Sequence, residues 1–294
     1  MPEHNSSLAK RLLFAWREQV QINLTRLVHS LGRDHFDAAD FAIVPLEVRV
    51  PGLAAEFEGY RIVQISDLHM GHWLNAERLN GVAELVNQQE PDLVVITGDF
   101  ISYSLSQIAE DMTTGLRRIS AMDGVAAVLG NHDHWFDPQG VRRVLQDAGV
   151  RELANDVLSL RRGTAVLYVA GVDDILVGAN DLNKVLEKMP DDGPAILLAH
   201  EPDFADESAA SGRFVLQLSG HSHGGQILLP GLGPYRGEMF RKYPLGRYQV
   251  GDMVQYTNSG VGTHVLRLRI NVPPEITVIT LHGSLRLTAI RRGY

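Results

Sequence analysis

Five short motifs in this chain combine carboxylate, amide and imidazole side chains, each directly after an apolar segment. They are Asp67-Leu68-His69, Gly98-Asp99, Gly130-Asn131-His132-Asp133, Ala199-His200 and Gly220-His221-Ser222-His223. Two divalent cations held close together need oxygen and nitrogen ligands from several directions, with one carboxylate able to bridge them. The motifs supply such ligands, and the chain has no cysteine to compete with them. The pattern predicts a site for two metal ions and, with it, a hydrolase.

The spacing within the motifs suggests a role for each ligand. Asp67 and His69 are two residues apart, so both can turn toward one ion, and Asp99 follows a glycine that lets the backbone come close. Asp99 is therefore the expected bridging carboxylate. Imidazole nitrogens suit Mn, Fe, Zn, Co or Ni better than Ca or Mg alone. The predicted metal ligands are Asp67, His69, Asp99, Asn131, His200, His221 and His223.

Further histidines lie close to these ligands in the sequence. A pair of ions roughly 3.5–4 Å apart acidifies a bridging water and neutralises the phosphoryl oxygens that it attacks. His132, beside Asn131, is the candidate acid for the leaving-group oxygen, with Asp133 or another carboxylate orienting it. The residues expected to contact substrate are His72, His134 and His264.

Composition and charge limit the possible partners. The 294 residues are 45% hydrophobic and 21% charged, with a formal net charge of −8, which argues against a nucleic-acid duplex as the main partner. The apolar run from Leu12 to Trp16 is too short for a signal-peptide core, and nothing reaches the length of a transmembrane helix. We therefore expect a cytoplasmic protein.

Residues 7–31 are predicted to form an amphipathic helix. Leu8, Leu12, Trp16 and Val20 begin an apolar stripe with spacings of three and four, and cationic side chains lie between them. Such a helix suits an anionic membrane interface, which would place the protein peripherally on the inner face of a membrane. The alternative is that the stripe packs on its own domain or on another subunit.

The segments that carry the first three motifs repeat a strand–ligand–helix pattern at a spacing of 32 residues. Parallel strands with helical crossovers follow from such a pattern, and their ligands project from the carboxyl ends of the strands. The predicted strands are Arg61–Ser66, Asp92–Thr97 and Val125–Leu129, and the predicted helices are Ala76–Gln89, Gln107–Ser120 and Gln139–Ala148.

The second half of the chain is predicted to be richer in strands. A helix is expected over Asp181–Met189, a strand over Leu46–Val50 and a terminal hairpin whose turn is His282-Gly283. Residues 33–44 are expected to be a connection. The predicted domain organisation is one catalytic domain, residues 40–294, preceded by a helical extension, residues 1–39. The other predicted strands are Val157–Leu160, Ala165–Ala170, Ala195–Ala199, Phe214–Ser219, Glu275–Leu281 and Ser284–Ile290.

The five motifs in this order resemble those of the calcineurin-like metallophosphoesterase superfamily, over roughly residues 60–281. The resemblance implies an α/β fold, a four-layer αββα sandwich of two mixed sheets. It implies that Asp99 is shared by two ions and that His132 is the acid near the leaving group. The remaining ligands would be Asp67, His69 and His223 for one ion, and Asn131, His200 and His221 for the other.

Two further stretches narrow this resemblance. Residues 220–226 and 273–277 look like those of the YaeI/YkuE-type phosphodiesterases, and some relatives of that group act on lipid-linked phosphates, including the pyrophosphate of UDP-diacylglucosamine. Leu129, where Ser/Thr protein phosphatases have arginine, argues against protein phosphatase activity.

The expected activity is hydrolysis of a phosphodiester or pyrophosphate bond by a hydroxide that bridges two ions such as manganese. A lipid-linked phosphate is one candidate substrate. The alternatives are a broad-specificity phosphomonoesterase and a non-catalytic scaffold. The scaffold is disfavoured because the full ligand set and His132 are present.

Overall fold

The computed structural model describes residues 35–229, 231, 237–264 and 266–283. Within them, two six-stranded mixed sheets lie face to face. The first sheet has the order β1-β12-β2-β3-β4-β5, in which β12 is antiparallel to β2 and the other neighbours are parallel. Its strands are β1 (Ala42–Val50), β2 (Arg61–Ile65), β3 (Leu93–Thr97), β4 (Val125–Val128), β5 (Val150–Glu152) and β12 (Glu275–Gly283).

The second sheet has the order β10-β11-β9-β8-β7-β6, with antiparallel pairs at its two edges and parallel pairs between them. Its strands are β6 (Asp156–Arg162), β7 (Ala165–Gly171), β8 (Ala195–Leu198), β9 (Leu216–Ser219), β10 (Gly246–Val250) and β11 (Met253–Thr257). The helices are α1 (Ala76–Asn87), α2 (Ala109–Arg117), α3 (Asn131–Phe136), α4 (Pro138–Ala148), α5 (Leu182–Lys188) and α6 (Ala205–Ala210).

Side chains along the central strands point alternately to the two faces of each sheet, and this produces the four layers. Ile62 and Val95 point to the core between the sheets, while Val63 and Val94 point to the core beneath α1, α2 and α4. A third core lies between the second sheet and the helices α5 and α6. Strands buried on both faces carry few polar residues, which is why β4 is wholly apolar and β3 is apolar up to its last residue, Thr97. The predicted αββα sandwich of two mixed sheets is confirmed.

Parallel strands place the motifs at one edge of the sandwich. Asp67, Asp99 and Asn131 follow β2, β3 and β4, while His200 and His221 follow β8 and β9. The carboxyl ends of parallel strands meet at the same edge, so both sheets contribute side chains there. The helices that return the chain have well-defined ends: Asn75 caps α1 by accepting from the amide of Arg78.

The predicted turn at His282-Gly283 is wrong. His282 and Gly283 continue β12, where they pair with Arg49 and Val50 of β1. The His282 ring lies between the carboxylates of Glu47 and Glu58, and the latter also accepts from the amide of Gly283. These side-chain contacts hold an extended backbone where glycine had indicated a turn. The predicted strand Ser284–Ile290 lies outside the described residues.

Some boundaries and elements also differ from prediction. β1 begins at Ala42, inside the segment expected to be a connection, because its first residues pair with β12. Strands β5, β10 and β11 were not predicted; β10 is a partly exposed edge strand with little apolar alternation. The predicted helix over residues 7–31 lies outside the described residues. Within the described part of the chain, no helix has the length and apolar character needed to cross a membrane.

Candidate metal centre

The first of two side-chain clusters at this edge joins residues from both sheets. It consists of Asp67, His69 and His223, all buried, whose ligand-type atoms lie within 4.8 Å of one another. The Nε2 atoms of His69 and His223 are 3.0 Å apart, and Oδ1 of Asp67 lies 3.4 Å from Nε2 of His223. Two imidazole nitrogens and a carboxylate oxygen converging on one point form a donor set that fits a divalent transition metal.

The second cluster adjoins the first and consists of Asp99, His200 and His221. Nε2 of His200 lies 3.3 Å from Oδ2 of Asp99 and 3.3 Å from Nδ1 of His221. The same Oδ2 atom of Asp99 lies 3.4 Å from Nε2 of His69 in the first cluster. Asp99 therefore lies between the two clusters, where a bridging carboxylate was predicted.

Backbone carbonyls fix the histidine rings of the second cluster. Nδ1 of His200 donates to the carbonyl of Thr97 at 2.6 Å, and Nε2 of His221 donates to the carbonyl of Glu238 at 3.1 Å. A carbonyl can only accept, so each contact sets which ring nitrogen carries the proton. The opposite nitrogens, which face Asp99 and each other, are then available as ligands. Sequence reasoning missed these partners because a backbone carbonyl leaves no residue-type signal.

Asn131 begins α3 beside the second cluster and is buried. Its Oδ1 atom has no hydrogen-bond partner among the residues that the structure describes. A buried amide oxygen without a hydrogen-bond partner destabilises a protein by about 1–3 kcal/mol. Such an oxygen therefore usually binds a water molecule, an ion or another group. A metal ion would be such a partner, and the observation fits the predicted ligand role.

The side chains of His132 and Asp133 do not contact each other as the sequence had suggested. Nδ1 of His132 donates to the carbonyl of Ser102 at 3.0 Å, and the ring packs edge-on to His69 at 4.8 Å. Both oxygens of Asp133 accept from backbone amides, those of Phe100, Ile101 and Gly130. The expected contact of Asp133 with the His132 ring is therefore wrong. Asp133 instead joins the loops after β3 and β4.

The three histidines expected at the substrate have different surroundings. Nδ1 of His72 lies 2.9 Å from Oγ1 of Thr263, and Nε2 of His134 forms an ion pair with Oδ1 of Asp173 at 2.7 Å. These contacts are internal to the protein. The His264 ring, in contrast, packs against the first cluster, with its centroid 5.2 Å from that of His69 and 4.7 Å from that of His132.

Burial controls protonation at this site. Burial lowers the pKa of His69 and of His223 well below the ordinary value and lowers the pKa of His221 to about 3, so these rings are neutral near pH 7. Burial, together with the charge of Asp99, raises the pKa of Asp67 to about 6. His200 is the exception: burial opposes its protonation, but the charge of Asp99 outweighs burial and raises the pKa of His200 well above the ordinary value. A cation bound there would have to displace that proton, whereas the other three rings are already neutral.

The ligand loops have an unusual backbone. Five of the seven predicted ligands have positive φ angles: Asp67 (50°), His69 (43°), Asp99 (54°), His221 (69°) and His223 (51°). Residues with a side chain rarely adopt this left-handed region, and each instance is destabilising by about 1–2 kcal/mol. Strained backbone tends to occur at functional sites because surrounding contacts hold it in place.

Glycines make room for these loops. A Cβ atom at Gly130 would lie 2.3 Å from Oδ1 of Asp99, and one at Gly220 would lie 1.9 Å from Oγ of Ser66. At such distances a side chain at either position would force neighbouring atoms of the site to move. The glycines of the motifs therefore reflect close packing around the two clusters.

Comparison with known families matches residues 60–225 to the family described as Calcineurin-like phosphoesterase. The two mixed sheets, the two clusters and this match define a metal-dependent phosphoric ester hydrolase. The chain belongs to the calcineurin-like phosphoesterase family.

Two bacterial relatives cover most of the chain. The uncharacterized metallophosphoesterase YkuE of Bacillus subtilis is 39% identical, over 78% of this chain and 81% of its own. Phosphodiesterase YaeI of Escherichia coli is 27% identical, over 76% of this chain and 82% of its own. Among solved structures, a 5′-nucleotidase precursor from Thermus thermophilus covers 75% of this chain and 54% of its own, with 14% identity and a TM-score of 0.45.

Proposed function

We propose that the protein hydrolyses phosphodiester or pyrophosphate bonds at a centre that holds two divalent metal ions. The observation that carries this proposal is the position of Asp99, whose Oδ2 atom lies 3.4 Å from His69 and 3.3 Å from His200. One carboxylate oxygen within reach of two histidine clusters is what a shared ligand requires.

The proposed ligands follow from the two clusters. Asp67, His69 and His223 would hold one ion and Asp99, His200 and His221 the other, with Asp99 shared and Asn131 added to the second set. The imidazoles favour Mn, Fe, Zn, Co or Ni, and we propose manganese as the first ion to test. When bound, such a pair of ions lowers the pKa of a water molecule and neutralises phosphoryl oxygens.

His132 is the proposed acid for the leaving group. Because its Nδ1 atom donates to the carbonyl of Ser102, Nε2 is the nitrogen left to exchange a proton with a substrate oxygen. Its ring packs against His69 and His264, so the proton donor lies beside the first cluster. His264 is the proposed substrate contact among the three histidines considered.

A diester or pyrophosphate substrate is supported by the relative YaeI, which is named as a phosphodiesterase. The competing candidate is a broad phosphomonoesterase. The test compares turnover of bis(p-nitrophenyl) phosphate with turnover of p-nitrophenyl phosphate by the same manganese-loaded protein. A higher kcat/KM for the diester is expected. A higher kcat/KM for the monoester would favour the competing function, and no turnover of either by the metal-loaded protein would contradict both.

A lipid-linked substrate is the finer proposal. A groove of about 690 Å³ beside α2 and α4 has a mixed lining, in which Tyr103, Leu105, Phe136 and Val144 alternate with charged side chains such as Glu110, Arg143 and Asp147. The Phe136 ring lies 6.0 Å from that of His132. The aromatic ring of Phe136 beside the proposed acid supports a leaving group with an apolar part.

The same proposal gives residues 1–39 and 40–294 separate roles. Residues 40–294 would form the catalytic domain. The amphipathic and cationic stretch 7–31 would bring that domain to the inner face of an anionic membrane.

A further inference from the structure

Arg269 is bonded to the protein mainly through backbone carbonyls. Its Nη2 atom donates to the carbonyls of Gly262, Ser259 and Gly260 at 2.6, 2.8 and 3.1 Å, and its Nε atom donates to Gly262 at 2.9 Å. A longer bond of 3.4 Å runs from Nη1 to the carbonyl of Val272. The guanidinium thus holds one loop, residues 259–262, through hydrogen bonds from donors that lie in one plane.

That loop forms the wall behind the Asp67 motif. The amides of Val261 and Gly262 donate to the carbonyls of Ser66 and Asp67, both at 2.9 Å. A Cβ atom at Gly262 would lie 2.1 Å from the carbonyl oxygen of Leu68. The loop therefore cannot move closer to the Asp67 motif. Its displacement would shift the backbone that carries Asp67 and His69.

The same guanidinium also reaches the third member of the first cluster. Nη2 of Arg269 lies 3.4 Å from Nδ1 of His223, on the far side of the ring from the Nε2 atom that faces His69. With Nε2 as the ligand atom, Nδ1 carries the ring proton, so this is a packing contact and not a hydrogen bond. Arg269 thus contacts both chain segments that form the first cluster. Its hydrogen bonds include none to Asp99, His200 or His221, the members of the second cluster.

We infer that Arg269 is a positioning residue for one metal site: it holds the first cluster in shape and leaves the second cluster unaffected. This inference rests on the proposed function, because it takes the two clusters as metal sites. A general structural role would weaken binding of both ions, whereas this inference predicts that only binding at the first cluster weakens.

The shape of the side chain is the physical reason. Arginine offers donors in a fixed planar fork, so Nε and Nη2 can serve three carbonyls at once. Lysine carries its donors on a single nitrogen and cannot span the same carbonyls. Both Arg269→Lys, which keeps the charge, and Arg269→Gln, which removes it, should therefore impair the first cluster.

The experiment titrates metal-free protein with MnCl₂ by calorimetry and measures bound manganese by mass spectrometry after dialysis. The unaltered protein should bind two ions, and the event that disappears in His69→Ala is assigned to the first cluster. In both Arg269 variants that event should weaken by about 10–100-fold, as is typical when a residue that orients a ligand is lost. The other event should stay within the error of the unaltered protein.

Arg162→Gln is the matched control. Arg162 is also partly buried and donates to Asp123, but it lies beside the start of β4, at the opposite edge of the sheet from the clusters. This variant should bind both ions normally. Gly262→Ala, which displaces the same loop by steric conflict, should reproduce the selective loss seen with Arg269→Lys.

The possible outcomes separate the two proposals. If the unaltered protein binds neither manganese nor any other divalent ion tested alongside it, the proposed function fails. If it binds two ions and Arg269→Lys binds both normally, or weakens both equally, the inference about Arg269 is wrong. Unfolding curves in EDTA check each variant. Failure of Arg269→Lys to fold would also overturn the inference, because it would show a role in the whole fold.

Discussion

The Nε2 atoms of His69 and His223 face each other at 3.0 Å although the two residues lie 154 positions apart in the chain. One comes from the loop after β2 and the other from the loop after β9, so the contact joins the two sheets. Both rings are neutral near pH 7 because burial lowers the pKa of each. Two neutral, buried nitrogens that converge across a domain form a candidate metal site, and the proposal that they bind an ion has measurable consequences.

Metal binding should stabilise the protein strongly. An ion that binds the folded state at 100 times its dissociation constant adds about 2.7 kcal/mol to the free energy of unfolding. For a chain of this size, Tm of EDTA-treated protein should then rise by roughly 5–10 °C when manganese is added. Differential scanning fluorimetry at increasing MnCl₂ measures the shift. An unchanged Tm with millimolar manganese would speak against both sites.

Replacing the shared carboxylate should remove both ions. Asp99→Ala deletes the oxygen that lies near both His69 and His200, so bound metal should fall well below two per chain and turnover should drop to background. Mass spectrometry and a diester assay provide the readouts. Asp111→Ala, at an exposed position on α2, is the control and should retain both metals. Full metal occupancy with near-normal turnover in Asp99→Ala would contradict the assignment.

His132 should matter for the leaving group and not for metal binding. His132→Asn should keep both ions yet lower kcat by roughly 10²–10⁴-fold, the range for loss of a general acid. The loss should shrink for nitrophenolate, which needs little protonation to leave. Diesters with a graded series of leaving-group pKa values provide the measurement. Equal losses across the series would instead show that His132 positions the phosphate.

The ion pair of His134 with Asp173 should give stability a defined pH dependence. Burial opposes protonation of His134, but the hydrogen bond and charge of Asp173 outweigh it and raise the pKa of His134. A raised histidine pKa contributes stability fully below the unfolded value of about 6.5, and the contribution is lost as pH rises through the folded pKa. His134→Gln should therefore lower the urea midpoint more at about pH 6 than at about pH 9.

A double-mutant cycle with Asp173→Asn isolates this ion pair from other groups that titrate. The coupling between positions 134 and 173 should be larger at the lower pH. The same coupling at both pH values would show that protonation of His134 is not the cause.

The membrane proposal can be tested by sedimentation with vesicles. The full chain should pellet with vesicles that contain anionic lipid and should be released by salt, because Lys and Arg attraction weakens as charges are screened. Leu12→Ser combined with Trp16→Ser should reduce pelleting. Met122→Ser, which replaces an apolar residue that is 77% exposed elsewhere, should not. A full chain that stays in the supernatant at low salt would contradict the proposal.

Long apolar runs made much of the fold predictable. The strands that end at Ile65, Thr97 and Val128 were located within a residue or two because each is buried on both faces and then stops at a polar motif. The edge strand β10 escaped prediction because it lacks such a run. The end of β12 was misread because side-chain contacts of His282 override the local signal of Gly283.

The candidate site was predictable in its residue types and less so in its internal contacts. The six members of the two clusters were all identified from motif order, since they must be particular side chains. The carbonyls of Thr97, Ser102 and Glu238 orient rings, and any residue can supply a carbonyl. Arg269 gave no signal for the same reason, because its partners are backbone atoms.

The left-handed backbone of the ligand loops sets a conflict between thermostability and catalysis. Glycine adopts positive φ without strain, so a glycine at His69 or His223 would relieve backbone strain while deleting a proposed metal ligand. Selection of variants for heat resistance alone would therefore be drawn toward substitutions that abolish the enzyme. A directed-evolution campaign on this scaffold has to screen for turnover in every round, and ancestral or consensus designs should leave these five positions fixed.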